Sequence, residues 1–276
     1  MINYNNIVWN CYRGAFVPRV DPHQNVVLST QEAKKILKKS NAYFLRWTNK
    51  WDSDESQFWY VIQDFFSEIS ELSTNTRSKV RRGYKRCDVK KVSKETIAND
   101  AYEVYKSAFD RYKTDLTIME KGLFYKNIME KKDYDFFAVY KKDTNIMIAY
   151  STNYISDRVC NYTTIKFHPE YLKLYSSYIL FFEMSKYYLK DNNFHYIHDG
   201  ARSIAHDTNI HDFLLKTFKF RKSFVKLNLI YRWDVNIIIH AFYPFRTMIA
   251  RLPSINAINK LKSLLLQESI ARGNDE

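Results

Sequence analysis

Three strand-like runs follow one another with almost nothing between them: "DFFAVYKK" (135–142), "NIMIAYSTNYIS" (145–156) and "VCNYTTIKF" (159–167). They are dense in β-branched and aromatic residues. The polar connections "KKDTN" and "SD" are too short for a helical crossover, so the three must run as an antiparallel meander. The next segment has another period. "HPEYLKLYSSYILFFEMSKYYLKDNN" opens on Pro169, places Leu172, Tyr175, Ile179, Phe182 and Leu189 at helical spacing, and closes on Asp191, Asn192 and Asn193. That pattern predicts one long helix. "FHYIHDG" is then strand-like, "TNIHDFLLKTF" helical with Thr208 as its cap, and "FRKSFVKLNLIYRW" strand-like again.

Two helices precede the meander. Ile97, Ala101, Val104, Tyr105, Ala108, Phe109 and Tyr112 trace one face behind Ser93, with Glu95 just inside, and "GLFYKNIMEKK" fits a second. The order ααβββαβαβ gives an α/β (α+β) fold with a mixed central sheet flanked by helices. Ahead of it, residues 1–22 look irregular, and "VPRVDP" breaks any helix. "STQEAKKILKKS" (29–40) starts a short helix at Ser29 or Thr30, and "AYFLRWTN" and "QFWYVIQD" read as strands around the polar turn "KWDSDES". The expected division is an N-terminal αβ extension over 1–93 ending in a basic helix, a central domain over 94–235 and a helical C-terminal tail over 236–276.

Charge is concentrated. Between Ser73 and Lys94 lie nine basic residues and one acid, so this block carries +8 of the chain's net +13. Leu72, Thr76, Val80 and Tyr84 recur every four residues beside a stripe of Arg77, Arg81 and Lys85, with Arg82 adjoining: a surface helix with a basic face, weakened slightly by Gly83. A pI near 9.4 points to an anionic partner. The three cysteines are widely spaced and fit neither a disulfide frame nor a zinc knuckle, which makes a reducing cytoplasm the default. No leader and no apolar run of spanning length is evident.

The element order, with a strand leading through a proline-marked turn into a long helix, resembles the GNAT acyltransferase fold over roughly residues 94 to 233. Two stretches sharpen the likeness. "LSTNTRSKVRRGYKRCDVKKVS" is similar to a signature that precedes the catalytic domain in the Fem-type, peptidoglycan-bridge aminoacyltransferase branch. "YIHDGARSI" followed by "IHDFLLKTFKFRKSFVKL" is similar to that branch's strand and helix ends. Fem enzymes carry two GNAT-like domains; here the first would be reduced to the two strands and one helix of residues 1–72.

The resemblance implies a site. In a GNAT-like fold, unpaired N–H groups on the strand before the long helix hold the donor carbonyl, which selects Thr164, Ile165 and Lys166. The helix start should cradle a pyrophosphate. The usual glycine-rich run is missing, and "KLYSSY" offers Lys173, Ser176 and Ser177 instead. The customary tyrosine acid is also absent, its place falling at Leu215 beside Lys216. In "HYIHDGARSIAHDTNIH", Asp199 or His206 could accept the amine proton and Arg202 could clamp a carboxylate or phosphate. His195, His198, His206 and His211 are close in sequence, but 195 and 198 face opposite sides of a strand and no cysteine joins them, so no metal site is expected.

These residues point to N-acyl transfer from an anionic carrier to an amine, with acyl-CoA, aminoacyl-tRNA or an acyl carrier protein as donor and Arg77, Arg81, Arg82 and Lys85 as its grip. The rival reading is a non-catalytic protein that binds nucleic acid or a carrier on a degenerate GNAT domain. The tail mixes aliphatic and aromatic residues with Arg246, Arg251, Lys260 and Lys262. It is a surface for peripheral contact with an anionic membrane, or a segment that packs on its own domain or on a second subunit.

Overall fold

The computed structural model describes residues 1–273 except 13, 55, 110–116, 205–208 and 254. The chain forms two units that interleave along the sequence. Met1–Tyr60, Ala201–Asn209 and Lys222–Glu276 make the first, and Val61–Gly200 with Ile210–Arg221 the second.

The first residues are ordered into strands, contrary to the irregular segment expected. β1 (Ile2–Tyr4), β2 (Ile7–Tyr12) and β3 (Ala15–Pro18) pair antiparallel in succession. The reason is turn chemistry. Asn5 and Asn6 stand at φ 50° and 60°, the two positive values a two-residue hairpin turn needs. α1 (Thr30–Ser40) comes next, as expected. Ser29 and Glu32 form a reciprocal capping box, and Asn41 ends the helix in the left-handed region. The helix carries the chain over to β4 (Phe44–Asn49), parallel to β3. Its Ala33, Ile36 and Leu37 pack with Trp9, Phe16, Leu45 and Trp47. β5 (Phe58–Gln63) then leads into the second unit.

There α2 (Thr74–Arg86) begins at Ser73, whose hydroxyl accepts from the Thr76 N–H, and buries Thr76, Val80 and Gly83. The rest of the basic block is a strand that the charge pattern hid. β6 (Cys87–Val92) pairs antiparallel with β7 (Tyr134–Lys141), and its exposed Lys90 and Lys91 suit a lightly covered strand. The helix expected from Ser93 divides at Ala101 into α3 (Lys94–Asp100) and α4 (Tyr102–Phe109), and α5 (Lys121–Met129) comes after them. β7, β8 (Met147–Ser156) and β9 (Val159–Phe167) form the predicted meander. Ile97, Val104, Phe124, Ile128, Phe136 and Tyr150 build the core between helices and sheet.

The long helix also departs from expectation. A 3₁₀ turn over Pro169–Leu174 ends at Tyr175, which sits at φ 64°; only then does α6 (Ser176–Ser185) begin, and it relaxes into a π-helical turn over Lys186–Asp191. β10 (Tyr196–Ala201) runs parallel to β9, and α7 (Asn209–Thr217) succeeds it. Back in the first unit, β11 (Arg221–Tyr231) pairs antiparallel with β4 along Lys226–Tyr231. The tail folds into α8 (Trp233–Phe242), α9 (Arg246–Ala250) and α10 (Asn256–Arg272).

The architecture is therefore mixed α/β, with mixed sheets flanked by helices. The first unit holds more than the two strands and one helix expected of residues 1–72.

Candidate active site

β9 and β10 part company halfway along. Their pairing covers only Tyr196 with Val159, Ile197 with Cys160 and His198 with Asn161. Two local features accompany the divergence. On β9 the register with β8 slips between Thr152 and Asn153, leaving Thr163 as an extra residue whose hydroxyl donates to the Thr152 carbonyl at 2.6 Å. Such a bulge bends its strand. On β10, Gly200 takes φ 82°, a conformation L-residues rarely adopt.

Beyond the bulge, β9 stays paired to β8 on one side only. The His168 N–H donates to the Ile148 carbonyl at 2.9 Å. N–H directions alternate along a strand, so those of Lys166 and Thr164 face β8 as well, and that of Ile165 faces the other way. Of the three expected carbonyl-holding positions, Ile165 is the one whose amide points into the opening. The Lys166 ammonium lies 5.2 Å from the centre of the Phe109 ring.

α6 starts where β9 leads. Its first N–H groups have no intrahelical acceptor, as at any helix start. The Ser176 hydroxyl is buried and makes no hydrogen bond, while Ser177 is half-buried and Lys173 exposed.

The basic helix comes to this same place. Gly83 lets α2 lie against α6 so closely that a Cβ there would stand 2.3 Å from Ile179 Cγ2 and 3.1 Å from the Tyr175 carbonyl oxygen. Lys79 donates to the Tyr178 hydroxyl at 3.0 Å, Arg82 to the Tyr175 hydroxyl at 3.3 Å, and Arg86 to the Lys173 carbonyl at 3.4 Å. Arg81 and Lys85 are exposed on the same helix. Arg77 turns back to the Ser70 carbonyl at 2.8 Å and the Thr74 hydroxyl at 3.1 Å. The sequence pattern singles out Arg82 but not Lys79 or Arg86, whose contacts depend on facing α6.

Asp199 lies within β10, one residue past the last pair with β9. Its partner is a histidine that the sequence pattern does not assign to proton transfer. His211 Nε2, on the buried face of α7, is 3.4 Å from Asp199 Oδ2 and 3.1 Å from the Asp199 carbonyl oxygen, the side chains being 8% and 13% exposed. Burial raises the Asp199 carboxyl above its usual range, and the hydrogen bond and charge of His211 oppose that only in part. For His211, burial works to lower the imidazole, but the hydrogen bonds and charge of Asp199 prevail and raise it. The spacing of His211, Leu214 and Phe218 on one helix face was the available signal.

Arg202 belongs to the first unit. It donates to the Gln57 carbonyl at 2.7 Å and to Gln57 Oε1 at 3.4 Å, while its N–H donates to the Trp59 carbonyl at 2.8 Å. His206 and Thr208 lie outside the described residues. Among the described residues, no three His, Cys, Asp or Glu side chains converge to hold a metal ion.

The overall fold also occurs in solved proteins. The crystal structure of FemX superposes with a TM-score of 0.54 over 79% of this chain and 81% of that one, at 12% identity. The fold is thus like that of FemX. The C-terminal domain of a putative lysylphosphatidylglycerol synthetase from Agrobacterium fabrum matches this chain equally well, with a TM-score of 0.55 over 85% of this chain and 83% of that one, at 9% identity. No family model and no curated protein matches the sequence. At such identities the likeness is one of fold, and the Fem-type frame leaves the chemistry to be argued from the residues.

Proposed function

We propose that this chain is an N-acyltransferase that moves an acyl or aminoacyl group from an anionic carrier to an amine. The observation that carries this reading is the splay of β9 from β10. It exposes a strand N–H at Ile165 beside a helix start that basic side chains flank. A donor carbonyl accepting from Ile165 would be polarised as its oxygen takes on charge. The carrier's phosphates would lie against the α6 start, held by Arg82, Arg86 and Lys79 on one side and Lys173 on the other. The acceptor amine attacks the carbonyl carbon, and the bond from that carbon to the carrier's oxygen or sulfur breaks. The amine gives up its proton to the Asp199–His211 pair, directly or through water, and the leaving group takes up a proton in turn. The fold shared with FemX and with the lysylphosphatidylglycerol synthetase domain is in keeping with acyl or aminoacyl transfer.

The donor is read by titration calorimetry with CoA, short- and long-chain acyl-CoAs and aminoacyl-tRNA at low and raised salt. Turnover is then measured on whichever binds. Saturable binding that Arg82→Glu and Arg86→Glu abolish, with turnover that His211→Gln abolishes, supports the reading. Binding with no transfer to any amine overturns it and leaves a binding protein on a Fem-type frame.

A further inference from the structure

The tail carries an apolar surface that its own unit does not cover. α8 turns Val235 and Ile239 inward, where they cluster with Tyr243, Ile249 and Leu265. Helical spacing then puts Trp233 and Ile237 on the far side, and they are 76% and 60% exposed. The apolar exposure continues past α8 through Phe245 at 54%, Met248 at 68%, Leu252 at 45% and Ile255 at 57%. Among the described residues, the 23 positions from 233 to 255 hold eight exposed large apolar side chains, against nine in the rest of the chain. Single exposed apolar residues need no explanation, but a concentration of them does.

Charge decides what covers it. From Val235 to Gln267 there is no acidic residue, while Arg246, Arg251, Lys260 and Lys262 supply four positive charges. Just before this stretch Asp234 is engaged by Arg232 at 2.7 Å. A second copy of the chain would set the four cations against themselves. An anionic lipid surface takes both features at once, with apolar side chains at the acyl boundary and cations at the phosphates. No described helix is long and apolar enough to cross a membrane, so the segment would lie on the surface.

We propose that α8, α9 and the start of α10 dock on an anionic phospholipid surface. Trp233, Ile237, Phe245 and Met248 enter the interface, and Arg246, Arg251, Lys260 and Lys262 meet the headgroup phosphates. The contact is independent of the reaction proposed above.

The test is co-sedimentation of the full chain with vesicles of phosphatidylcholine, with and without phosphatidylglycerol. The chain should pellet with the phosphatidylglycerol vesicles and not with pure phosphatidylcholine. The double variant Ile237→Asn/Met248→Ser, at exposed positions and with an unchanged melting temperature, should partition about tenfold less. Arg82→Glu on α2 should partition as the parent does. Equal pelleting with both vesicle types, or none with either, overturns the proposal. So does binding that survives the tail variant but is lost in Arg82→Glu, which would put the lipid contact on α2. If vesicles are ignored and sedimentation velocity finds a dimer that the tail variant dissociates, the surface belongs to a second copy and the proposal falls.

Discussion

Gly200 and His211 are the two residues on which the candidate site turns, for different reasons. Gly200 sits at φ 82° with no atom within 4 Å of where a Cβ would stand, so substitution there tests backbone strain and not crowding. Gly200→Ala should cost about 1–2 kcal/mol. Gly200→Asn should cost less, since asparagine tolerates left-handed backbone, and urea denaturation of the two variants checks the order. His211 makes a claim about pH. Its folded pKa lies above the ordinary value of 6.5 on account of Asp199, so the folded state binds more proton there than the unfolded chain. That contribution is fully present below the unfolded value and is lost as pH rises through the folded one. Asp199, raised by burial, works in the same sense from its own ordinary value of 3.8 upward. Stability should therefore decline as pH climbs past about 6.5, and His211→Gln should flatten that decline; thermal melts across the range read it directly. The sequence points to Asp199 because, with Gly200, it closes the strand-like run that the pattern predicts. Helical spacing puts His211 on a buried face with Leu214, but only the fold shows that it meets Asp199 there.

Among the elements, the pairing of α2 with α6 is what sets Lys79, Arg82 and Arg86 of the basic block against the start of α6. In the sequence Gly83 reads only as a weak point in a helix, but in the structure it lets the two helices touch. Gly83→Ala would gain about 1 kcal/mol of helix propensity and lose about 1–3 kcal/mol to overpacking against Ile179 and the Tyr175 carbonyl. The net should be a loss of stability, with weaker donor binding as α2 is pushed off. Gly122→Ala in α5 is the control: a Cβ there would have nothing within 4 Å, and the variant should be neutral or slightly stabilising. A sequence reader could see the meander, α1, α5 and α7, because their periods are clean and their connections short. The strands before residue 19 hang on the two-residue Asn5–Asn6 turn, which no glycine marks in the sequence. β6 was hidden because its lysines mimic a solvated helix face, and the break at Tyr175 because side-chain spacing runs on regardless of one left-handed residue. The β9 bulge and the divergence from β10 are register properties, and register is set by the partner strand.

Across the whole molecule the charge falls into two places. The 22 residues from Ser73 to Lys94 carry +8 and the 33 from Val235 to Gln267 carry +4, which leaves the remainder of the chain at +1. The first block lies in α2, β6 and the first residue of α3, all in the second unit, and the second in the tail. If they serve different partners, their effects should separate. Reversing Arg82 and Arg86 should weaken donor binding and spare vesicle binding, the tail variant should do the opposite, and the combination should show the sum of the two losses. Salt then identifies the donor. A polyanion whose phosphates are neutralised by Lys79, Arg82 and Arg86 should lose affinity with a log–log slope of about −2 to −3. Removing Arg82 and Arg86 should cut that slope by about 2. A compact donor such as CoA, with its phosphates gathered at the α6 start, should give a shallower dependence, and its binding should also respond to Lys173→Ala. A steep slope that Lys173→Ala leaves unchanged would assign α2 to a nucleic-acid carrier reaching beyond the α6 start. A shallow one that both sets of variants reduce would assign it to a small phosphorylated donor.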